Sequence, residues 1–384
     1  MKLAFLAFNR NHHFDIQPYL SEYDITSEIY TAFPRWKLKQ ERVPASAIHT
    51  FPWIMTPKLG LQKMGLAPVW LERSLNKGAQ KTFDRYAKRH LTDCDVVEAM
   101  SSFGYKTGCA VQKQGGQYIV HRGSAHATFQ HNLMKEECAR WKVPFIGCDV
   151  EMLKQELLDY ETANWVNVPS EYARQSFISQ GFHPDKVVSL PYGVNVTQFN
   201  PSAEPDKNKF TVLFVGQVSL RKGVPYLLEA FKALKHPNKE LIFIGSIWTD
   251  IKPYLNQFPP GQNVKWMGTL PRHQIKELMS RAHVMVLPSI DDGFGKVITE
   301  AMACRCPVLC SEHTGAYGYL NDGIDGLVVP IRSSSAIVEK LQELADDPAF
   351  RDRLAEGAYK KVMQQQGWET YVKQFVEEIR RRKS

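Results

Sequence analysis

Two carboxylates and a glycine-bearing turn lie close together in residues 284–308. The apolar run Val284–Leu287 is typical of a buried strand, and residues 295–303 carry apolar side chains at helical spacing. The first amides of a helix lack partners within the helix and attract anions. Asp292 precedes this helix and Glu300 follows eight residues later, so at about 1.5 Å of rise per residue the carboxylates lie roughly 10 Å apart. The spacing predicts an anion site flanked by two acids.

This layout fits a nucleoside diphosphate sugar. Glu300 would accept hydrogen bonds from a ribose diol and Asp292 would hold sugar hydroxyls, with the diphosphate between them. Taken alone, the same spacing also fits a turn residue and a solvated helix residue.

Three runs in this region resemble the signature of GT-B glycosyltransferases of the retaining GT4 family, namely Asp292-Gly293-Phe294-Gly295, Glu300-Ala301-Met302-Ala303 and Pro307-Val308. The resemblance implies that the amides of Gly293, Phe294 and Gly295 face the phosphates of the donor, and that Asp292 is catalytic. The sequence departs from the family at two positions. Asp292 stands where the family has Glu, and Arg305 where it has Gly.

A second glycine turn follows the apolar run Phe210–Val215 and carries basic residues. Here Lys222 is expected to reach the diphosphate and to act in catalysis, with Arg221 assisting. By family position, Gly216 and Gln217 also bind the donor, although the family usually has Arg where Gln217 stands. The family position of Met267 and Gly268 predicts a contact with the base.

The acceptor side is expected in the first half of the chain. Tyr118–His121 is typical of a strand, and parallel sheets place ligands at the carboxyl ends of their strands. Arg122, Ser124 and His126 follow directly, and the resemblance implies that His126 lies near the reacting carbon of the donor sugar. The polar segment after the first strand adds two more acceptor-side candidates, His12 and His13. A loop histidine without a ligand is the alternative for all three.

Composition limits the partners of the protein. The net charge is +8, with 43% hydrophobic and 23% charged residues, and the pI is near 9.0. This balance is that of a globular protein that attracts something acidic. The sequence shows no nucleic-acid motif, so no nucleic-acid partner is predicted. It has no apolar run near the ~20 residues that a membrane span needs, which predicts a cytoplasmic protein.

Residues 31–90 interleave tryptophans with basic residues, among them Trp36 and Trp53. One interpretation is peripheral contact with an anionic membrane, with the tryptophans at headgroup level. The other is an ordinary amphipathic helix pair.

The alternation of strand and helix signals predicts an α/β fold. We expect two Rossmann-like, doubly wound domains that face each other across a cleft, as the GT-B resemblance implies. Residues 1–195 would form the acceptor-side domain and residues 196–366 the domain that binds the nucleotide sugar. Residues 367–384 would form a helix that packs back on the first domain.

The resemblance implies retaining transfer of a sugar from a nucleoside diphosphate sugar, with UDP-sugar favoured, to a hydroxyl on a glycan, a lipid or a small molecule. No cofactor or metal is expected. Asp93-Cys94-Asp95 superficially matches a metal-binding D-x-D but more simply starts a strand. The alternatives are a GT-B sugar-nucleotide epimerase and a catalytically weak, membrane-associated protein that binds sugar nucleotides.

Overall fold

The computed structural model describes residues 1–63, 69–91, 93–147, 149–256, 263–315, 318–364 and 367–383. Its strands form two separate parallel sheets, one of seven strands and one of six. Strands in such sheets are covered by helices on both faces and are rich in apolar residues. The expected pair of doubly wound α/β units is therefore confirmed.

The first sheet has the strand order β3-β2-β1-β4-β5-β6-β7. Its strands are β1 (Lys2–Leu6), β2 (Thr26–Thr31), β3 (Ile48–Thr50), β4 (Val96–Met100), β5 (Gln117–His121), β6 (Trp165–Val168) and β7 (Val187–Ser189). The helices of this half are α1 (His13–Ile16), α2 (Met55–Lys63), α3 (Val69–His90), α4 (Tyr105–Lys113), α5 (Ala127–Arg140), α6 (Val150–Thr162) and α7 (Glu171–Ile178).

The second sheet has the order β10-β9-β8-β11-β12-β13. Its strands are β8 (Phe210–Val215), β9 (Lys239–Ile244), β10 (Val264–Trp266), β11 (Val284–Leu287), β12 (Val308–Ser311) and β13 (Leu327–Val329). The helices that follow the first sheet are α8 (Val224–Ala233), α9 (Lys252–Leu255), α10 (Arg272–Arg281), α11 (Lys296–Ala303), α12 (Ser334–Asp346), α13 (Pro348–Gln364) and α14 (Gly367–Lys383).

The C-terminal helix α14 returns to the first sheet. Its apolar face packs in the core beside β1 and β6, where Phe375 and Ile379 are fully buried. Gln117 donates a hydrogen bond to the carbonyl of Ile379 (3.1 Å), and Asn167 donates one to the hydroxyl of Tyr371 (2.8 Å). The predicted return of this helix is confirmed. The boundaries at residues 195 and 366 stay a prediction.

Two buried carboxylates join the halves. Asp291 is fully buried and accepts hydrogen bonds from Tyr172 (2.9 Å) and Ser124 (3.2 Å) of the first half. Glu137 of α5 is also fully buried, and it accepts from Arg332 (2.7 Å) in the second half. Because a buried charge without partners is costly, these contacts hold the halves together.

Residues 31–90 include α2 and α3, with residues 64–68 outside the described part of the chain. Trp36 is 62% exposed and Trp53 74% exposed, and the ammonium of Lys37 lies 5.2 Å from the ring of Trp36. Among the helices that the structure describes, none is long and apolar enough to cross a membrane. Membrane contact by this segment stays a prediction.

Candidate functional site

The turn between β11 and α11 is closed by Asp292. Its Oδ1 accepts a hydrogen bond from the amide of Gly295 (3.2 Å). Gly295 is the N-cap of α11 and has a φ of 68°, in the left-handed region that glycine adopts at little cost. The first amides of α11 follow directly and have no partners within the helix. The predicted strand, turn and helix start are therefore present.

Lys222 reaches Asp292 from a segment 70 residues away, and its Nζ contacts Asp292 Oδ2. Gly223, the next residue, has a φ of 66°, and a β-carbon there would lie 1.8 Å from the carbonyl oxygen of Pro288. Only glycine fits so close to the end of β11. This close approach brings the lysine and the aspartate together.

Burial and charge oppose each other in this pair. Burial alone would raise the pKa of Asp292, but the charges of Lys222 and Arg221 and the Gly295 amide hold it below its usual value. Burial lowers the pKa of Lys222 despite the neighbouring carboxylate. Each group therefore depends on the other for its charge.

A cavity of about 300 Å³ opens above this pair and is lined by both halves of the protein. Five of the predicted donor-binding residues line it, namely Gly216, Lys222, Asp292, Phe294 and Gly295. Gly123, Tyr192 and Lys296 also line it, and the apolar Val215, Leu287 and Val297 complete the lining. We call it the central cavity.

Glu300 lines an adjoining cavity of about 660 Å³, which we call the α11 cavity. Lys296 lines both cavities and connects them. Burial raises the pKa of Glu300 to about 7, although Lys296 and Arg272 lower it in part. Asp292 and Glu300 thus lie in neighbouring cavities.

A third cavity, of about 1080 Å³, lies on the other side of Asp292. Gln217 and Arg221 line it, and Arg221 donates a hydrogen bond to the carbonyl of Asp291 (3.0 Å). Arg122 and Ser124 line it too. Gln217 and Arg221, predicted at the diphosphate, therefore do not line the central cavity.

Two of the segments predicted to contact the donor do not line the central cavity. Gly293 touches the first half, because a β-carbon there would lie 2.3 Å from the carbonyl oxygen of Gly123, and its own carbonyl accepts a hydrogen bond from Ser170 (2.5 Å). Met267 and Gly268 follow β10 and are exposed, and neither lines the three cavities described. Their contact with a base stays a prediction.

The structure corrects the position predicted for His126. This residue is buried, and its ring packs against Tyr160, Phe177 and Phe182 in the core of the first half. Neither ring nitrogen has a hydrogen-bond partner, and burial lowers its pKa to about 4. As the N-cap of α5, it turns its side chain away from the cleft.

His12 and His13 are buried together with His121 and Glu98, so they are not exposed loop residues. His13 Nε2 lies 3.0 Å from Glu98 Oε2, and His121 Nδ1 lies 3.6 Å from Glu98 Oε1. Burial opposes the charge of Glu98, but the hydrogen bond of His121 and the charge of His13 lower its pKa to about 2. We call these four residues the histidine cluster.

The cluster adjoins the central cavity through His121. Its Nε2 lies 2.6 Å from the hydroxyl of Tyr192, and it would lie 3.9 Å from a β-carbon at Gly123. Tyr192 and Gly123 both line that cavity. One ligand atom each of His12, His13 and Glu98 lie within 4.8 Å of one another, which is close enough to hold a metal ion. The expectation that no metal is needed stays a prediction.

Sequence reasoning missed His121 and Lys296. His121 ends β5, at the sheet edge where ligands bind, so the rule that selected this loop pointed to His121 more directly than to His126. Lys296 follows Gly295 at the first position of α11, and its Nζ lies 4.8 Å from the ring of Tyr192. The sequence signal that could have identified Lys296 was a basic residue directly after the predicted glycine turn.

Comparison with known proteins gives a consistent picture. Residues 196–361 match the model of the family described as glycosyl transferases group 1. An uncharacterized glycosyltransferase of Methanocaldococcus jannaschii is 27% identical over 60% of this chain, a stretch that spans 59% of that relative. Alpha-maltose-1-phosphate synthase of Mycolicibacterium smegmatis is 26% identical over 76% of this chain and 81% of its own length.

The fold also matches a solved structure, that of Anabaena HepE in complex with UDP-glucose. The TM-score is 0.69, with 18% identity, and the match covers 99% of this chain and 100% of the other. At this identity the likeness concerns the fold alone.

Proposed function

We propose, on the premise that residues 196–361 belong to the glycosyl transferases group 1 family, that the protein is a glycosyltransferase with the GT-B fold. It moves a sugar from a nucleoside diphosphate sugar to an acceptor hydroxyl, with retention of configuration. A UDP-sugar is the favoured donor, which is consistent with the UDP-glucose in the Anabaena structure. The nearest alternative, a sugar-nucleotide epimerase, would need no acceptor.

One observation carries the proposal. Lys222 and Asp292 meet in a cavity at the start of α11 that both halves of the protein line. A lysine ammonium has three donors, so it can hold Asp292 and a phosphate oxygen together. The first amides of α11 add donors and the positive end of the helix dipole. This combination favours a diphosphate with a hydroxylated group beside it.

The nucleoside would lie in the α11 cavity. As a carboxylate, Glu300 accepts the hydrogen bonds of a ribose diol. Lys296 borders both this cavity and the central one, so it lies where a diphosphate passes from one to the other. The donor sugar then extends toward Asp292.

In the reaction, the bond from the anomeric carbon to the leaving phosphate oxygen breaks and a bond to the acceptor oxygen forms on the same face. The acceptor proton passes to the leaving phosphate. Lys222, Lys296 and the α11 amides stabilise the negative charge that builds up there. His121 replaces His126 as the histidine beside the donor sugar, because it adjoins the central cavity through Tyr192.

Calorimetry of the full chain with UDP, GDP and ADP tests the donor site. The proposal expects one of the three to bind, and Glu300→Gln to weaken that binding about tenfold by removing a charged acceptor. Asp292→Asn should instead lower turnover. If both variants equal the wild type, the site assignment is wrong. Incubation with the sugar nucleotide alone separates transfer from epimerisation, since only an epimerase changes the sugar without an acceptor.

Treatment with EDTA tests the independence from metal. Turnover should survive exhaustive chelation, because the protein's own cations neutralise the leaving group in this scheme. Loss of turnover on chelation and recovery with Mn²⁺ or Zn²⁺ would place a metal in the mechanism, with the histidine cluster as its candidate site.

Peripheral contact with an anionic membrane is also part of the proposal. The exposed Trp36 and Trp53 and the neighbouring lysines support it, since tryptophan favours the headgroup region of a bilayer. Co-sedimentation with vesicles that contain phosphatidylserine should fall in Trp36→Ala, Trp53→Ala protein. Equal sedimentation of both proteins would exclude this surface.

A further inference from the structure

The largest of the three cavities has one wall with a continuous apolar stretch at residues 143–146 and an opposite wall to which Trp248 and Pro253 add apolar surface. Residues 122–147 of the first half form one wall, and residues 217–221 and 248–253 of the second half form the other. The cavity, of about 1080 Å³, shares Gly123 and Asp292 with the central cavity. We call it the α5 groove. It is continuous with the place where the donor sugar would react.

Two of the exposed large apolar side chains of the protein line this groove from opposite sides. Ile146 is 64% exposed and Trp248 is 50% exposed. Met134, Val143 and Phe145 extend the wall of Ile146 toward the interior. Exposed apolar side chains grouped around a concavity are typical of a binding site for an apolar molecule.

The two arginines of the groove face carboxylates within the protein. Arg122 Nη1 donates to Glu156 at 2.6 Å, and Arg221 Nη1 lies 3.6 Å from Asp291 Oδ2. Among the described residues that line it, these two arginines are the permanently charged cations. Three carboxylates, those of Glu156, Asp250 and Asp292, also line the groove. They would repel a phosphate or carboxylate, so the groove favours a neutral ligand.

We propose that the α5 groove binds the acceptor, and that the acceptor is a neutral amphiphile. Its hydroxyl lies at the Gly123 and Asp292 end, and its alkyl or aryl part lies between Ile146 and Trp248. This inference rests on the proposed function, because the α11 cavity, with Glu300, is assigned there to the nucleoside. The α5 groove is then the space that remains beside the reacting carbon.

Alkyl β-D-glucosides of increasing chain length test the groove in the full chain. Butyl, hexyl and octyl β-D-glucoside, each kept below its micelle concentration, would displace the neutral fluorescent probe N-phenyl-1-naphthylamine in the presence of UDP. Affinity should rise about fourfold per methylene that the groove buries, which corresponds to about 0.8 kcal/mol. Equal affinity of the three glucosides would overturn the proposal.

Trp248→Ala and Ile146→Ser change opposite walls of the groove, and both side chains are exposed, so folding should be preserved. Each variant should bind octyl glucoside about tenfold more weakly, while UDP binding stays unchanged. Ile324→Ser is the matched control for Ile146→Ser, because Ile324 is 66% exposed and lies outside the groove. If Trp248→Ala weakens UDP binding instead, the nucleoside occupies the groove and the proposal is wrong.

The two proposals fail separately. If the wild type binds no nucleoside diphosphate but binds the glucosides with the expected dependence on chain length and on Trp248, the donor site is wrong and the apolar site stands. If UDP binds and the glucosides do not, the apolar acceptor is wrong and the donor site stands.

Discussion

Two carboxylates in opposite halves of the protein, Asp292 in the central cavity and Glu98 in the histidine cluster beside it, have different partners. Asp292 contacts the ammonium of Lys222. Glu98 lies between the imidazoles of His13 and His121 and accepts a hydrogen bond from Asn167. The second half therefore offers a cation to a ligand, whereas the first half offers a buried polar network.

The two sites also differ in how the chain builds them. Asp292, Gly295 and Lys296 are nearly consecutive residues, and one further loop supplies Lys222. The histidine cluster draws its members from residues 12–13, 98 and 121. A glycine turn with a cation beside it can be encoded locally, while the histidine cluster needs distant strands to meet. Four experiments test whether the two sites differ in function as they do in structure.

The largest effect is expected for Lys222→Met. It removes the cation that would stabilise the leaving phosphate and leaves Asp292 buried without its partner. We expect kcat/KM to fall by roughly 10²–10³, as when one charge-stabilising donor is removed from an active site. Arg221→Met is the matched control and should cost less than tenfold, because Arg221 does not line the central cavity. Equal losses of kcat/KM for the two variants in steady-state assays would contradict a specific role of Lys222 at the leaving phosphate.

A smaller effect is expected for Glu98→Gln. The glutamine amide lacks the negative charge that lies 3.0 Å from His13 Nε2 and 3.6 Å from His121 Nδ1, so His121 loses its fixed orientation beside Tyr192. We expect kcat to fall about tenfold, the order of a lost charged hydrogen bond, with UDP affinity unchanged. Asp159→Asn is the control, since Asp159 is a buried carboxylate of the same half, bonded to Ser102 and Tyr118. A loss of UDP affinity in Glu98→Gln would contradict a purely orienting network.

The donor site itself should depend on pH through Glu300. Burial raises its pKa to about 7, so the accepting carboxylate is present above that pH and is lost as the pH falls through it. UDP affinity should therefore drop about tenfold between pH 8 and pH 6, as one titrating group allows. Calorimetry at both values measures this, and Glu300→Gln should flatten the dependence. An unchanged slope in that variant would assign the effect to another group.

The smallest effect on activity is expected for His126→Leu. The ring of His126 is buried among aromatic side chains, and its nitrogens have no partners. Leucine removes these unsatisfied groups, so the free energy of unfolding should stay the same or rise by about 1 kcal/mol. Turnover should not change. A tenfold loss of turnover with native stability would restore His126 to the site and exclude our assignment of His121.

The elements of the fold could be predicted because their signals are local. The run Val284–Leu287 is a strand as predicted, and the strand predicted at Tyr118–His121 is found at Gln117–His121. Alternating strands and helices then leave few arrangements other than doubly wound parallel sheets. The glycines at 223 and 295 fix their turns through positive φ, so the two loops that carry Lys222 and Asp292 could be placed from the sequence.

The histidine cluster could not be predicted, because its contacts are long-range. Glu98 lies within an apolar strand pattern, and His13 is 85 residues away from it. His126 was selected because it stands in a polar loop after a strand, but spacing does not tell which way a loop side chain turns. Arg221 and Lys222 are adjacent in sequence and line different cavities, so charge alone did not indicate which one would face the phosphates.

The peptide bond between Asp291 and Asp292 has a mechanical consequence. Asp291 is held by Tyr172 and Ser124 of the opposite half, while its neighbour contacts Lys222 inside the central cavity. A movement that separates the halves either breaks these hydrogen bonds or displaces Asp291 together with the adjacent carboxylate. In the proposed glycosyltransferase, opening of the two halves would therefore be coupled to the position of Asp292 through a single covalent link.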